Sequence, residues 1–229
     1  MQLSNRLNTI AKCVPKGSRV IDVGTDHAYI PIYLMKNKIA SACIATDIHK
    51  GPLEKAKLNM KAHGIDNIRL KLTNGLEGIG EDEGDIIIIA GMGGCLIIDI
   101  LKNNLPLAKH VQKLILQPQQ DISRVRRFLH ETGFKIEDEE IVEDAEKYYT
   151  TIIASVGNEK YEKDYEYQYG KLLIDKKSNV FKIYMNKKQE KLAEIYNSIS
   201  QIDSEYTYKR KKELEEERKM QEEVIQCIL

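Results

Sequence analysis

The segment that most constrains the fold of this chain is residues 19–33, RVIDVGTDHAYIPIY. It opens with the β-branched pair Val20-Ile21, passes through a polar loop at Gly24, and becomes apolar again with Pro31 in what would be the first turn of a helix. Strand, tight turn and helix in this order are typical of a nucleotide-binding α/β unit. Gly24 lies where the chain must turn sharply, and its missing Cβ lets a ligand approach the backbone.

The loop around Gly24 indicates which ligands it suits. It is neither a G-x-G-x-x-G fingerprint, because Gly24 stands alone, nor a P-loop, because no Gly-Lys-Ser/Thr follows. Its carboxylates, Asp22 and Asp26, would repel phosphates and suit a cofactor that carries an amine. S-adenosylmethionine carries such an ammonium group. The alternative is a βα turn with polar side chains and no ligand.

Two further strand ends lie at the spacing expected of a cofactor site. A strand at residues 42–47 ends in Asp47, about two dozen residues after the first strand, where an acidic residue can bind the hydroxyls of a ribose. A third strand, residues 68–72, is followed by Asn74, which can hydrogen-bond an adenine edge, and by Gly75, which lets a ring lie flat on the backbone. Turn chemistry alone explains this Asn-Gly pair equally well.

The run DIIIIA, residues 85–90, predicts a central strand that is buried on both faces. It ends in Gly91-Met92-Gly93-Gly94, and three glycines at the end of such a strand indicate that something large approaches the backbone there. A helix at residues 95–101, a strand at 113–116 and a helix at 122–132 follow. An amphipathic helix at residues 3–14 precedes the first strand. We expect its Arg6 to be solvated, and the alternative is that Arg6 faces the ligand cleft.

The pattern predicts an α/β fold of the class I methyltransferase, Rossmann-like type. Two last strands, residues 134–139 and 149–156, read as a hairpin and complete a mostly parallel sheet of seven strands with one antiparallel member. Composition changes after Gly157, so we expect domains at residues 1–157 and 158–229.

The second domain is predicted to be a coiled-coil helical hairpin at residues 178–227, with its turn at residues 201–204 and Ser204 as a helix cap. Its seam is the apolar series Leu192, Ile195, Ile199, Ile202 and Tyr206. The basic run at residues 209–212 is followed by glutamates, which favours a salt-bridged helix face over a phosphate clamp.

Composition excludes several classes of protein. The 35 basic and 35 acidic residues balance, so a polyanionic partner must be held by a local patch. The four cysteines form no C-x-x-C pair, which indicates free thiols in a reducing compartment and no zinc or other metal site. Without a signal peptide or a membrane-spanning apolar run, we expect a cytoplasmic protein, monomeric or weakly dimeric.

Several motifs together resemble one family: IDVGTDHAYIP, the strand end at Asp47, NGL, DIIIIAGMGG and LILQPQ. The chain resembles the bacterial S-adenosylmethionine-dependent tRNA adenine-N1 methyltransferases that modify adenine 22 in the D-arm, often called TrmK. The resemblance spans the Rossmann-like domain. Family members typically read Q-P-N where this chain has Gln117-Pro118-Gln119, which leaves the role of Gln119 open.

The resemblance implies a set of site residues. Those lining the methionine end of S-adenosylmethionine would be Gly24, Asp26 and His27, with Asp47 on the ribose and Ile48 against the adenine. Further contacts to the adenine would come from Asn74, Gly75 and Leu76, and the backbone of Ala90, Gly91 and Met92 would form the floor of the transfer site.

The chemistry of the implied reaction needs no strong base, because N1 of adenine already carries a lone pair. Placement of N1 in line with the methyl group should dominate, helped by an acceptor for the 6-amino group: Asp26, Gln117 or the carbonyls near Gly91. Tyr29 or Tyr149 would stack on the extruded base, unless these tyrosines simply satisfy core hydrogen bonds. For the tRNA phosphates we expect the basic residues of two helices: Arg124, Arg126, Arg127, Lys50 and Lys57.

Two other functions stay open on the sequence alone. A small-molecule methyltransferase would need an apolar lid over its cleft, and the polar helical tail argues against one. A non-enzymatic interaction module would use the helical hairpin and bind no S-adenosylmethionine.

Overall fold

The computed structural model describes residues 1–200 and 205–229, and of residues 200 and 205–207 it describes the backbone alone. The described chain forms two compact units, Met1–Lys160 and Tyr161–Leu229. The first unit is built of strands and helices, and the second of helices.

The first unit contains a seven-stranded sheet in the order β3-β2-β1-β4-β5-β7-β6. Strand β7 is antiparallel to both of its neighbours, and the other pairs are parallel, so the predicted sheet with one antiparallel member is confirmed. The strands are β1 Ser18–Val23, β2 Ala40–Asp47, β3 Ile68–Leu72, β4 Ile86–Ala90, β5 Lys113–Gln117, β6 Phe134–Asp144 and β7 Lys147–Val156.

Strand β4 shows why the sheet is a buried layer. All four of its isoleucines, residues 86–89, are 0 % exposed. Because successive side chains of a strand point to opposite faces, both faces of β4 are covered. An unbroken β-branched run in the sequence therefore marked the centre of the sheet.

The sheet has a topological switch point between β1 and β4. These strands are parallel neighbours, with Val23 opposite Ile89, but the chain leaves β1 toward β2 and leaves β4 toward β5. The two connecting loops therefore diverge and leave a crevice at the carboxyl edge, which is where ligands bind in open α/β sheets.

The helices of the first unit follow the predicted pattern with one addition. Helix α5 is absent from the sequence prediction because six residues are too few to show a period, although Pro106 stands in its first turn. The helices are α1 Asn5–Lys12, α2 Tyr29–Lys36, α3 Lys50–Ala62, α4 Gly94–Asn103, α5 Leu105–His110 and α6 Ile122–Glu131.

The second unit contains α7 Asp164–Tyr169, α8 Lys171–Lys176, α9 Asn179–Ser200 and α10 Glu205–Ile228. Helices α9 and α10 pack against each other, and Leu192, Leu214 and Val224 are buried between 0 and 6 % exposed. The predicted helical hairpin is therefore present. The predicted turn at residues 201–204, with Ser204 and Ile202, lies outside the described residues, as does the side chain of Tyr206. Among the helices described, none is both long and apolar enough to cross a membrane.

Candidate active site

The loop after β1 is held against the end of β2. The backbone N–H groups of Gly24 and Thr25 both donate to the carbonyl of Thr46, at 2.9 Å. Gly24 has φ +68°, and a Cβ on it would meet the flexible end of the Met92 side chain. Asp26 and Ala28 also adopt positive φ, so the loop is tightly wound, and its backbone conformation favours glycine at position 24.

The glycines after β4 have two different explanations. Gly91 has φ +79°, and its N–H donates to the carbonyl of Gln117 at 3.1 Å. A Cβ on Gly94 would lie 2.6 Å from the carbonyl oxygen of Gln120. The expectation that all three glycines admit a ligand is therefore wrong for Gly94, where the close neighbour is the chain's own backbone.

The two loops enclose a cavity of about 280 Å³ at the switch point. The predicted residues that it brings together are Gly24, Asp26, Tyr29, Ala90 and Gly91. Asp22, which the sequence pattern assigned to an amine-bearing cofactor, lines the cavity as well. Further lining residues were not predicted to belong to the site: Arg6, Leu7, Thr25, Ile30 and Gln119.

Asp22 is the most perturbed acid of the cavity. It is 4 % exposed, and its carboxylate accepts a hydrogen bond of 2.6 Å from the hydroxyl of Thr25. Burial raises the pKa of Asp22 to about 7, although the hydrogen bond from Thr25 opposes the shift. A carboxyl group in this state favours a cationic ligand, because a nearby positive charge stabilises its ionised form. The site therefore fits an ammonium group.

Asp47 ends β2 with a carboxylate held by the backbone. Its Oδ1 accepts from the N–H of His49 at 2.9 Å, and its Oδ2 accepts from the N–H of Asp26 at 3.4 Å. The next residue, Ile48, is 58 % exposed. A fixed acceptor beside an open apolar face is the combination that a nucleoside needs, since the ribose offers hydroxyl donors and the base offers a flat ring.

The loop after β3 supports only part of the prediction for adenine. The carbonyl of Gly75 accepts from the hydroxyl of Thr46 at 2.9 Å, and the amide of Asn74 donates to Glu77 at 3.3 Å. Leu76 is 0 % exposed. Its predicted contact with adenine is therefore a misassignment, because its side chain belongs to the core beneath the loop.

Tyr29, rather than Tyr149, presents a ring to the cavity. Tyr29 is 41 % exposed, and the ring of His27 stacks on it with centroids 5.3 Å apart and an angle of 24°. Nε2 of His27 lies 3.5 Å from Oδ1 of Asp26. The ring of Tyr149, by contrast, has the guanidinium of Arg6 over it, 5.4 Å from its centroid. The ring of His27 therefore supports Tyr29, and its predicted contact with the cofactor stays a prediction.

Arg6 and Gln117 occupy positions that differ from the prediction. Arg6 lines the cavity instead of being solvated, and its Nη1 donates to Oε1 of Gln117 at 3.2 Å. Gln117 is 0 % exposed, and its Nε2 donates to the hydroxyl of Thr151 at 2.9 Å. The side chain of Gln117 is therefore a buried support for Arg6, which corrects its expected role as a direct acceptor for the base.

The predicted phosphate contacts include one buried residue. Arg126 is 1 % exposed, and its Nε donates to Oε1 of Glu139 at 2.7 Å, so it cannot reach a phosphate. The spacing contained a signal for this, because Arg126 follows Ile122 by four residues and precedes Leu129 by three, which places it on the inner stripe of α6. The other four predicted residues are exposed: Arg124, Arg127, Lys50 and Lys57.

Among the described residues, no group of three or more His, Cys, Asp or Glu side chains could hold a metal ion.

Comparison with known proteins finds methyltransferases by sequence and by structure. A family model described as a methyltransferase domain matches residues 3–152. The chain is 34 % identical to the tRNA (adenine(22)-N(1))-methyltransferase of Bacillus subtilis, over 98 % of each chain. It is similar in structure to the B. subtilis m1A22 tRNA methyltransferase TrmK, with TM-score 0.87, 34 % identity and coverage of 98 and 99 % of the two chains. It is also similar to a putative tRNA (m1A22) methyltransferase from Streptococcus pneumoniae in complex with S-adenosyl-L-methionine, with TM-score 0.86, 33 % identity and coverage of 97 and 99 %.

Proposed function

The chain belongs to the family of tRNA (adenine(22)-N(1))-methyltransferases, and we propose that it transfers a methyl group from S-adenosylmethionine to N1 of adenine 22 in tRNA. The observation that carries the proposal is the cavity at the switch point. It combines a buried carboxyl group, Asp22, with the exposed ring of Tyr29, so one cleft offers a partner for an ammonium group and a surface for a base.

S-adenosylmethionine, when bound, supplies a methyl group on a sulfonium, whose positive charge makes the methyl carbon electrophilic. The residues around the cleft would hold this donor in one orientation. Asp22 and the loop at Gly24 would hold the amino end, the Asp47 carboxylate would accept from the ribose, and Ile48 would pack on the adenine. Asn74 and Gly75 would contact the same ring.

The protein's contribution to the chemistry is mainly placement. N1 of adenine is a nucleophile without prior deprotonation, so no residue has to act as a strong base. Tyr29 stacks on the extruded adenine, and His27 keeps the ring of Tyr29 in place from its other side. Asp26, whose side chain is 68 % exposed, and the carbonyls near Gly91 accept from the 6-amino group.

The tRNA is held outside the cleft by basic side chains. Arg124, Arg127, Lys50 and Lys57 are exposed and can contact phosphates, which position the RNA without reading its sequence. Residues 158–229, the helical domain, add further contacts to the tRNA. With tRNA as the substrate, a cytoplasmic location is the expected one.

The test is methylation of an unmodified tRNA transcript by the purified protein with S-adenosylmethionine. Nuclease digestion and mass spectrometry should find N1-methyladenosine at position 22. A transcript with guanine at position 22 is the matched control and should stay unmethylated. A wild-type transcript that remains unmodified would exclude the proposal. Methylation of a small molecule in its place would favour the other class of methyltransferase.

A further inference from the structure

Arg6 belongs to helix α1, outside the sheet, and lines the cavity. It lies in the first turn of α1, where its backbone N–H donates to Oδ2 of Asp144 at 3.0 Å. Its guanidinium lies over the ring of Tyr149, 5.4 Å from the centroid, and Nη1 donates to Oε1 of Gln117 at 3.2 Å. Backbone, ring and amide together hold this guanidinium at the cavity wall.

The support for Arg6 is itself buried and fixed. Gln117 is 0 % exposed, its Nε2 donates to the hydroxyl of Thr151, and its Oε1 accepts from Arg6. A guanidinium can only donate, whereas a threonine hydroxyl can donate or accept, so Arg6 fixes the amide of Gln117 with its oxygen toward the guanidinium. The buried amide of Gln117 therefore connects Thr151 to Arg6 and holds the guanidinium in place.

Most of the hydrogen-bonding capacity of Arg6 is left for a ligand. A guanidinium has five N–H donors, and Gln117 takes one of them. Within the described part of the chain, no carboxylate lies at ion-pair distance from this guanidinium. Nη1 would lie 3.4 Å from a Cβ on Gly91, which puts the cation directly over the loop after β4. Such a group is suited to a pair of anionic oxygens.

The charges of the cavity are arranged in a way that fits a zwitterion. Asp22 and Asp26 line it together with the loop at Gly24, and Arg6 lines it together with Gly91. An α-amino acid group carries one ammonium and one carboxylate, so it satisfies both kinds of side chain. A phosphodiester would satisfy Arg6 but would also face the buried carboxyl of Asp22.

We propose that Arg6, oriented by Gln117, binds the carboxylate of the amino-acid part of the methyl donor. This inference rests on the proposed function, which supplies that donor. The other source of anionic oxygens is a phosphate of the target nucleotide, and binding measurements on an Arg6 variant distinguish the two.

The experiment is calorimetry of the full chain with two ligands. S-adenosylhomocysteine contains the amino-acid part, whereas 5′-methylthioadenosine contains the adenosine and the sulfur but lacks that part. We expect Arg6→Gln to weaken S-adenosylhomocysteine binding by about tenfold to a hundredfold, the range of a charge-assisted hydrogen bond. The Kd of 5′-methylthioadenosine should change less than about twofold, because that ligand has no carboxylate for Arg6 to bind.

Two further variants make the result specific. Arg6→Lys keeps the charge but loses the planar fork, so it should fall between wild type and Arg6→Gln for S-adenosylhomocysteine. Gln117→Leu should weaken the same ligand selectively if Gln117 orients Arg6. Lys12→Gln removes an exposed cation from the other end of α1 and serves as the matched control, with both Kd values unchanged.

The results of these binding measurements distinguish a carboxylate contact of Arg6 from a phosphate contact and from a damaged cleft. If Arg6→Gln leaves S-adenosylhomocysteine binding unchanged but weakens tRNA binding, Arg6 contacts a phosphate and the inference is overturned. Equal weakening of both ligands would also overturn it, since that indicates a damaged cleft. If the wild-type chain binds neither ligand, the proposed function is wrong. If it binds both, and Arg6→Gln does not weaken S-adenosylhomocysteine more than 5′-methylthioadenosine, only the assignment of Arg6 is wrong.

Discussion

At the scale of single residues, the cleft is defined by a few side chains whose surroundings change their chemistry. Asp22 is 4 % exposed in a strand whose neighbouring residues are apolar, and one hydroxyl, that of Thr25, hydrogen-bonds to its carboxylate. Burial disfavours the charged form, and its pKa is raised to about 7. The free protein therefore carries a group that costs stability when it ionises, and a cationic ligand removes that cost.

This shift predicts a measurable pH dependence of stability. The folded-state pKa of Asp22 lies above the unfolded value of about 3.9, so its contribution is fully present below that pH and is lost as the pH rises toward about 7. The free energy of unfolding of wild type should therefore decrease relative to Asp22→Asn between about pH 4 and 8, on the order of a few kcal/mol. Urea unfolding of both proteins without ligand measures it. A difference that does not vary with pH would contradict the raised pKa.

At the scale of elements, α6 contains two adjacent arginines, Arg126 and Arg127, that differ in burial. Arg126 faces the sheet and forms a buried ion pair with Glu139 of β6, and both side chains are 1 % exposed or less. Arg127, the next residue, is exposed. One helix thus uses neighbouring cations for two purposes: one neutralises a buried carboxylate, and the other faces solvent.

The two positions should separate stability from RNA binding. Arg126→Ala leaves Glu139 buried without this partner, and we expect it to lower the free energy of unfolding by about 3–5 kcal/mol. Arg127→Ala should change stability by well under about 1 kcal/mol and weaken tRNA binding. Chemical denaturation and a tRNA gel-shift assay on both variants test the pair. A stable Arg126→Ala protein with weakened tRNA binding would reverse the assignment.

At the scale of the whole molecule, a chain with no net charge has to bind a polyanion. The 35 basic and 35 acidic residues cancel, so attraction to tRNA depends on local groups of lysine and arginine. The described part of α9 carries three exposed lysines close in sequence, Lys187, Lys188 and Lys191. The run at residues 209–212 is partly neutralised, because Arg210 forms an ion pair with Glu213 at 2.7 Å.

Substitutions in α9 should therefore affect tRNA and leave the methyl donor alone. We expect the double variant Lys188→Gln and Lys191→Gln to bind tRNA more weakly. The slope of log Kd against log salt concentration should become shallower by about one for each phosphate that the variant no longer neutralises. The affinity for S-adenosylhomocysteine should be unchanged. Lys36→Gln, an exposed lysine at the end of α2, is the matched control. An unchanged salt dependence would show that α9 does not bind the tRNA backbone.

Local patterns in the sequence were sufficient for the strands and for most of the helices, but not for the six-residue helix α5. The isoleucines of β4, the single glycine after β1 and the spacing of Leu192 from Ile195 and Ile199 each reflect a property of one segment. Backbone sterics and the need to bury one face act on neighbours along the chain, so such patterns can be recognised without the partner elements. The motifs at the strand ends also indicated the edge of the sheet at which the cleft lies.

The tertiary structure alone decided which side chains meet. Arg6 and Gln117 are 111 residues apart in sequence, and only the packing of α1 against β6 and β7 brings them together in the cavity wall. The burial of Arg126 and Leu76 and the approach of Met92 to Gly24 also depend on distant partners. The sequence by itself determined the strands, most of the helices and the edge of the sheet at which the cleft lies, because these follow from local periodicity. The chemistry of individual cleft residues was decided by the fold, because charge, burial and hydrogen bonding belong to pairs of groups and not to one position.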